Sequence, residues 1–268
     1  MFKNKKAVIL GAGLIFNVWG VQAAYAAVLL SHHAGYSIRM NTVRDTAVVS
    51  NVSGKIAYGI ENTCNGWLLQ QSGTMNLEKP SGEIMPQNLQ FSSVEQGDMF
   101  RFSLNSNGNP NSAVMGHATM PHDGKEGRVV FNDDKKTTFV LPPNTLFPVE
   151  HTQLMIDNAL AGKKQFQSYI FEGTNIESAK LLSVFVNPLT ESAKAISEGR
   201  GKQFKGHVGW NFRMAYFDPK SKTGEPMYEV EVDLFDNGIA PRWVLDYQAF
   251  TVEMKMVKFQ ALDKPQCG

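Results

Sequence analysis

A side-chain period of two constrains this chain more than any other feature. Trp210, Phe212, Met214 and Tyr216 alternate with Asn211 and Arg213, the pattern of a strand with one buried and one solvated face. Tyr228, Val230, Val232 and Leu234 repeat it against Glu229, Glu231 and Asp233, which are expected to face solvent, and Phe250, Val252, Met254 and Met256 repeat it again. Asn237-Gly238 has the residue types of a tight hairpin turn. Shorter alternating stretches at 37–49, 54–60, 66–71, 99–104, 127–131 and 136–141 read as further strands between polar, Gly-rich turns. Antiparallel half-buried strands in this number predict a mainly β protein, a barrel or a curled sheet.

One segment departs from that period. Pro148 suits a first helical position, and Val149, Thr152, Met155, Ile156, Ala159 and Leu160 then fall on one helical stripe that stops at Gly162. The spacing predicts an amphipathic helix over 148–161, placed to plug or cover an opening of the sheet. The polar stretch 187–206 reads as a long mobile loop. With no internal repeat and no linker, residues 27–268 are expected to form one domain.

Residues 1–26 stand apart from the fold. Lys3, Lys5 and Lys6 precede an apolar run from 7 to 21, and small residues follow, with Ala24 and Ala26 at the −3 and −1 positions of a cleavage after Ala26. Cleavage after Ala23 is the alternative. The run is shorter than the roughly 20 residues of a membrane span, so a cleaved secretory signal is expected, with no stable membrane anchor in the mature protein. The stretch at 7–13 imitates a dinucleotide-binding turn, but Phe16 occupies the third glycine position.

Export changes the meaning of charge and of cysteine. The full chain carries 26 basic and 25 acidic side chains. Removing residues 1–26 takes away three lysines and no acid, leaving 23 basic groups against 25 acidic ones. The only cationic cluster leaves with the signal, which argues against nucleic acid as a partner. In an oxidising compartment Cys64 and Cys267 are candidates for one disulfide, whereas in cytosol they would be free thiols.

Several pieces of the mature sequence, in order, resemble the EipB family of periplasmic cell-envelope integrity proteins. They begin with Leu29-Leu30-Ser31-His32-His33-Ala34-Gly35-Tyr36 and continue through Gly54, Tyr58 and Cys64-Asn65-Gly66-Trp67. The most distinctive is Leu141-Pro142-Pro143-Asn144-Thr145-Leu146-Phe147-Pro148, with His151 and Gly162. Phe171-Glu172-Gly173 follows, with glutamate where aspartate is expected. Ala215-Tyr216-Phe217, Pro226, Tyr228, Asn237-Gly238, Leu245-Asp246-Tyr247, Phe250 and Cys267 complete the series. The resemblance implies a single antiparallel broken β-barrel or β-spiral with an internal helix, similar in shape to LolA, LolB and RseB. It also implies a Cys64–Cys267 disulfide, and it carries no assigned reaction.

No catalytic or metal-binding constellation stands out. His117 and His122, with Asp123, lack a third ligand at metal spacing, and His32-His33 reads as a solvated strand edge. His151 beside Glu150 has no nucleophile elbow or zinc-binding motif near it. Asp133-Asp134 reads as a turn. Trp210, Phe212, Met214, Tyr216, Met254 and Met256 form ordinary barrel core or, on a sharper reading, line an apolar cavity. The expected function is non-enzymatic and periplasmic, supporting the envelope through a protein partner or an acyl, lipid-like ligand and without a cofactor. The alternative is a hydrolase using His151 or His122.

Overall fold

The computed structural model describes residues 27–44, 47–107, 113–198 and 200–267. The signal segment and the cleavage position at Ala26 lie outside them. Eight strands run in a meander from the start of the described chain: β1 (His32–Val43), β2 (Asn51–Asn62), β3 (Trp67–Glu78), β4 (Ile84–Gln96), β5 (Met99–Ser106), β6 (Val114–Thr119), β7 (Gly127–Phe131) and β8 (Thr138–Leu141). A two-residue strand β9 (Thr145–Leu146) leads into helix α1 (Pro148–Leu160). The return path is β10 (Gln165–Ile170), β11 (Lys180–Pro188), α2 (Glu191–Ser197), β12 (Gly209–Phe217), β13 (Tyr228–Phe235), β14 (Arg242–Asp246) and β15 (Phe250–Ala261).

All 15 strands belong to one sheet, in which β1 pairs with β15 and the outermost strands are β8 and β9. Only residues 142–144 separate those two edges in sequence, so the sheet curls almost into a closed barrel with one seam. Ser178 Oγ reaches the Val140 carbonyl of β8 at 2.8 Å. Short edge strands and Pro142-Pro143, which carry no N–H, leave little for another chain to pair with.

The expectation of a wholly antiparallel sheet needs one correction. β9 and β10 pair in parallel, because α1 lies between them and carries the chain back before it re-enters the sheet, as a parallel pair requires.

A barrel of this many strands is too wide for its own side chains to fill. Helix α1 occupies part of the interior with Val149, His151, Met155, Ile156, Asn158 and Ala159 buried, while Leu160, expected on the same stripe, is 47% exposed. Phe147, just before the helix, stacks on Phe100 at 4.8 Å between ring centroids. Phe102, Phe131 and Phe171 extend this cluster edge-to-face.

The stretch 187–206 is not the long loop expected from its polarity. Thr190 caps α2, its hydroxyl accepting from Ala193 N at 3.2 Å, and Ala193 is fully buried. Beyond the helix, Arg200 donates to the carbonyls of Met256 and Val257 in β15. Phe204 then inserts against Phe235 and Phe259 at 5.3 and 5.7 Å. Polar residues anchor this strap at both ends, and one aromatic ring fixes its depth.

Candidate functional site

The two ends of the barrel differ. At the end formed by the start of β1, the β2–β3 turn and the β13–β14 turn, Ala34, Tyr36, Phe204, Phe235, Ile239 and Met256 form a buried apolar cluster. Cys64 and Cys267 are joined there by a disulfide, with Cα atoms 5.6 Å apart, so the C-terminal tail is clasped to the β2–β3 turn. Cys64 adopts φ +67° and Gly66 abuts the Glu95 carbonyl, where an added Cβ would sit 2.0 Å away. That approach is open only to glycine.

At the opposite end the same strands enclose an open cleft of about 450 Å³. Register places Ile38, Ile56, Gly73 and Leu89 on the inner wall, followed by Val52, Met75 and Leu77 toward the mouth. Leu245, Val252 and Met254 close the other side, with Tyr247 and Phe250 at the rim in ring contact at 5.3 Å. Gln71, Thr74, Gln87, Asn88 and Ser106 are the polar residues of the wall. Exposed Tyr247 and Val43 extend the apolar character outward. The lining is mostly apolar, and among its described residues there is no histidine, cysteine, aspartate or glutamate.

Of the six residues singled out as core or cavity lining, only Met254 meets this cleft. Phe212, Met214 and Tyr216 pack into the main core with Trp210 beside them, and Met256 fills the closed end. The separation follows from topology: β12 lies among the strands that enclose α1, and Met256, opposite Tyr36, sits on the same face as Met254 but one step further along β15 toward the filled end.

The histidines are equally dispersed. His151 is buried on α1 with Nε2 3.1 Å from Ser168 Oγ, and burial holds its pKa down to about 4, so the ring is neutral. His122 lies in an exposed turn and His117 on the solvent side of β6. His32, expected at a solvated edge, is instead buried, with Nδ1 2.7 Å from the Leu30 carbonyl and its ring between Tyr58 and Phe259. His33 is exposed and pairs with Glu61 at 2.9 Å. Among the described residues no three His, Cys, Asp or Glu side chains are placed to hold a metal ion.

The EipB-like family profile matches residues 23–263. The chain belongs to the EipB-like family. A relative in it, cell envelope integrity protein EipB of Brucella abortus strain 2308, is 27% identical over 250 residues, spanning 90% of this chain and 87% of its own. A crystal structure of a β-barrel-like protein of the domain of unknown function DUF1849, from Brucella abortus, shares the fold. Its TM-score is 0.78 at 24% identity, covering 89% of this chain and all of that one.

Within this EipB-like barrel, three buried or partly buried ionisable groups matter whose partners alternation along the strands did not reveal. Phe147 offers no side-chain cap to α1. Glu95 of β4 does so instead, accepting from Val149 N and Glu150 N at 2.8 and 3.2 Å. Burial pushes its pKa up to about 8, against those two hydrogen bonds. Its inward alternation with Phe91 and Ser93 was the available signal. Asp233, expected in solvent, lies on the outer face but is fully covered. Its carboxylate accepts from Thr190 N, Thr190 Oγ and Asn211 Nδ2, and pairs with Arg242 at 3.1 Å. Glu231 and Glu253 complete the shell of Arg242 at 2.6 and 2.7 Å. Glu172, the departure from the expected aspartate, reaches buried Lys180 at 3.3 Å, where Glu177 also lies at 2.7 Å. Burial opposes the lysine charge, and the two carboxylates more than offset it, raising its pKa.

Proposed function

We propose that this protein is exported to the periplasm and supports cell-envelope integrity without catalysis, by holding an apolar ligand of acyl character in the open-end cleft. The observation that carries the reading is the cleft itself. Val52, Met75, Leu77, Leu245 and Val252 line a partly open space, although a barrel core of this composition would ordinarily collapse to close packing. Methionine walls adapt to irregular chains. The relative's designation as a cell envelope integrity protein supplies the cellular role. The likeness to the LolA and LolB proteins implied by the resemblance points in the same direction.

The hydrolase alternative rests on the His151–Ser168 contact, which does not line the open-end cleft. Alanine at His151 or His122 is expected to leave envelope resistance unchanged.

Titration with a fluorescent fatty acid tests the ligand, and rescue of a deletion strain under detergent tests the role. Met75→Lys puts a charge in a half-buried wall position and should weaken probe binding by at least about tenfold, equivalent to ~1.4 kcal/mol. It should also fail to rescue. Saturable binding by wild type and failure of the variant support the reading; no binding together with full rescue by Met75→Lys overturns it in favour of a protein scaffold.

A further inference from the structure

The residues ahead of β1 are held on two sides. Ala27 and Leu29 are buried in the main core while Val28 between them is 81% exposed. The Ala27 backbone nitrogen donates to Asp157 Oδ1 at 2.9 Å, and its carbonyl accepts from Gln153 Nε2 at 3.4 Å. Gln153 and Asp157 are four apart on α1, so adjacent turns of one helix face grip both polar groups of a single residue. On the other side, Leu30 N donates to the Asn237 carbonyl at 2.8 Å, and the Leu29 side chain covers Gly238. Residues 27–31 therefore bridge the interior helix and the β13–β14 turn.

The partner of the Asp157 carboxylate is unusual. The side chain is half-buried, and among the described residues it meets a backbone N–H and no cationic side chain. A carboxylate in such a place is better matched by a full positive charge. The nitrogen it holds belongs to the residue that follows Ala26, with Ala24 and Ala26 at the −3 and −1 positions of a signal-peptidase site.

We propose that Asp157 is the receptor for the α-ammonium group of Ala27, created when the signal is cleaved after Ala26. Water adds across the Ala26–Ala27 peptide bond. The Ala26 carboxylate departs with the signal, and the Ala27 nitrogen takes up a proton in place of its acyl group. At neutral pH an α-amine is mostly protonated, so the N–H···O hydrogen bond becomes an ion pair at the same position. Processing thus fastens α1, the helix that occupies the barrel interior, to the end of the chain. Before cleavage only the weaker amide bond is available. The proposal rests on the export reading, and its test separates the two.

The experiment uses the chain exported from its own leader. N-terminal sequencing should read Ala27 first. A mature protein beginning at Ala24 would leave the Ala27 nitrogen an amide and overturn the proposal, and an unprocessed, unexported chain would overturn the export reading with it. Mono-acetylation of the terminus near pH 6.5, where lysines are protonated and unreactive, removes the charge. It should lower the melting temperature by about 3–6 °C in wild type and by less than about 1 °C in Asp157→Asn, which keeps the acceptor oxygen and the shape. An equal drop in both proteins would sink the ion pair while leaving export intact.

Discussion

Strand β4 reads the same along its length, yet its two halves have different fates. Phe91, Ser93 and Glu95 on its inner face are buried, whereas Met85, Gln87 and Leu89 on that same face are only half-buried. Strand β3 divides likewise between buried Leu69 and half-buried Met75 and Leu77. The strands do not supply the difference. Toward one end helix α1 and the Phe100, Phe102 and Phe147 rings pack against Leu69, Phe91 and Glu95, and the Tyr36–Met256 layer with Phe204 continues the filling; at the other nothing among the described residues fills the lumen. Alternation makes a wall with an apolar inner face, and segments distant in sequence decide whether that face becomes core or cleft.

The largest effect should come from emptying the closed end. Phe204→Ala removes a ring packed on Phe235 and Phe259 and should cost about 3–5 kcal/mol, read as a fall in urea midpoint. An apolar dye should then bind at both ends rather than one. A midpoint shift below about 1 kcal/mol would show that the strap lies on the barrel without closing it. Next comes the clasp. Reducing the Cys64–Cys267 bridge, which spans 203 residues, should cost about 2–5 kcal/mol. Calorimetry with and without reductant measures that loss. Probe affinity at the open cleft should hardly change, since the bridge lies at the other end.

A smaller effect isolates the cap on α1. The unfolded chain ionises Glu95 near its ordinary 4.5, while burial holds the folded carboxyl near 8. The folded state therefore keeps a proton that the unfolded state has released. This contribution is complete below about 4.5 and is lost as pH rises through 8. His151 acts in the opposite sense, because burial lowers its pKa from 6.5 to about 4. Its contribution is present above 6.5 and is lost as pH falls toward 4. Between 6.5 and 8 only Glu95 of this pair tilts the curve. Stability should fall there by up to about 1.4 kcal/mol per pH unit, and Glu95→Gln should flatten the slope. An unchanged slope in the variant would remove Glu95 as its source.

Much of the wall was legible because alternation is local. The helix at Pro148–Leu160 was legible too, from proline at its start and Gly162 just past its end, where φ is +75°. What covers a face was not legible. Asp233 alternates outward as expected, but its cover comes from Thr190, 43 positions earlier. The parallel β9–β10 pair was hidden for the same reason, since two residues at Thr145–Leu146 carry no periodicity. The cleft escaped because Ile38, Val52, Met75 and Leu245 each look like ordinary core. Only their placement around an unfilled end sets them apart.

The smallest effect on stability should fall at the open rim, where it sharpens the contrast most. Tyr247 lines the cleft yet is 47% exposed, so Tyr247→Lys removes little buried surface and should shift stability by less than about 1 kcal/mol. If the cleft is a binding site, the lysine charge should still weaken a fluorescent fatty acid several-fold, because the ring it replaces stands with Phe250 at the mouth. The corresponding change on the clasped side, His33→Lys, touches a rim that is already polar and paired with Glu61, and should leave probe affinity alone. Equal loss from both substitutions would mean that the probe senses overall charge and not the cleft. Loss from Tyr247→Lys alone would assign apolar binding to the end that the strap does not reach.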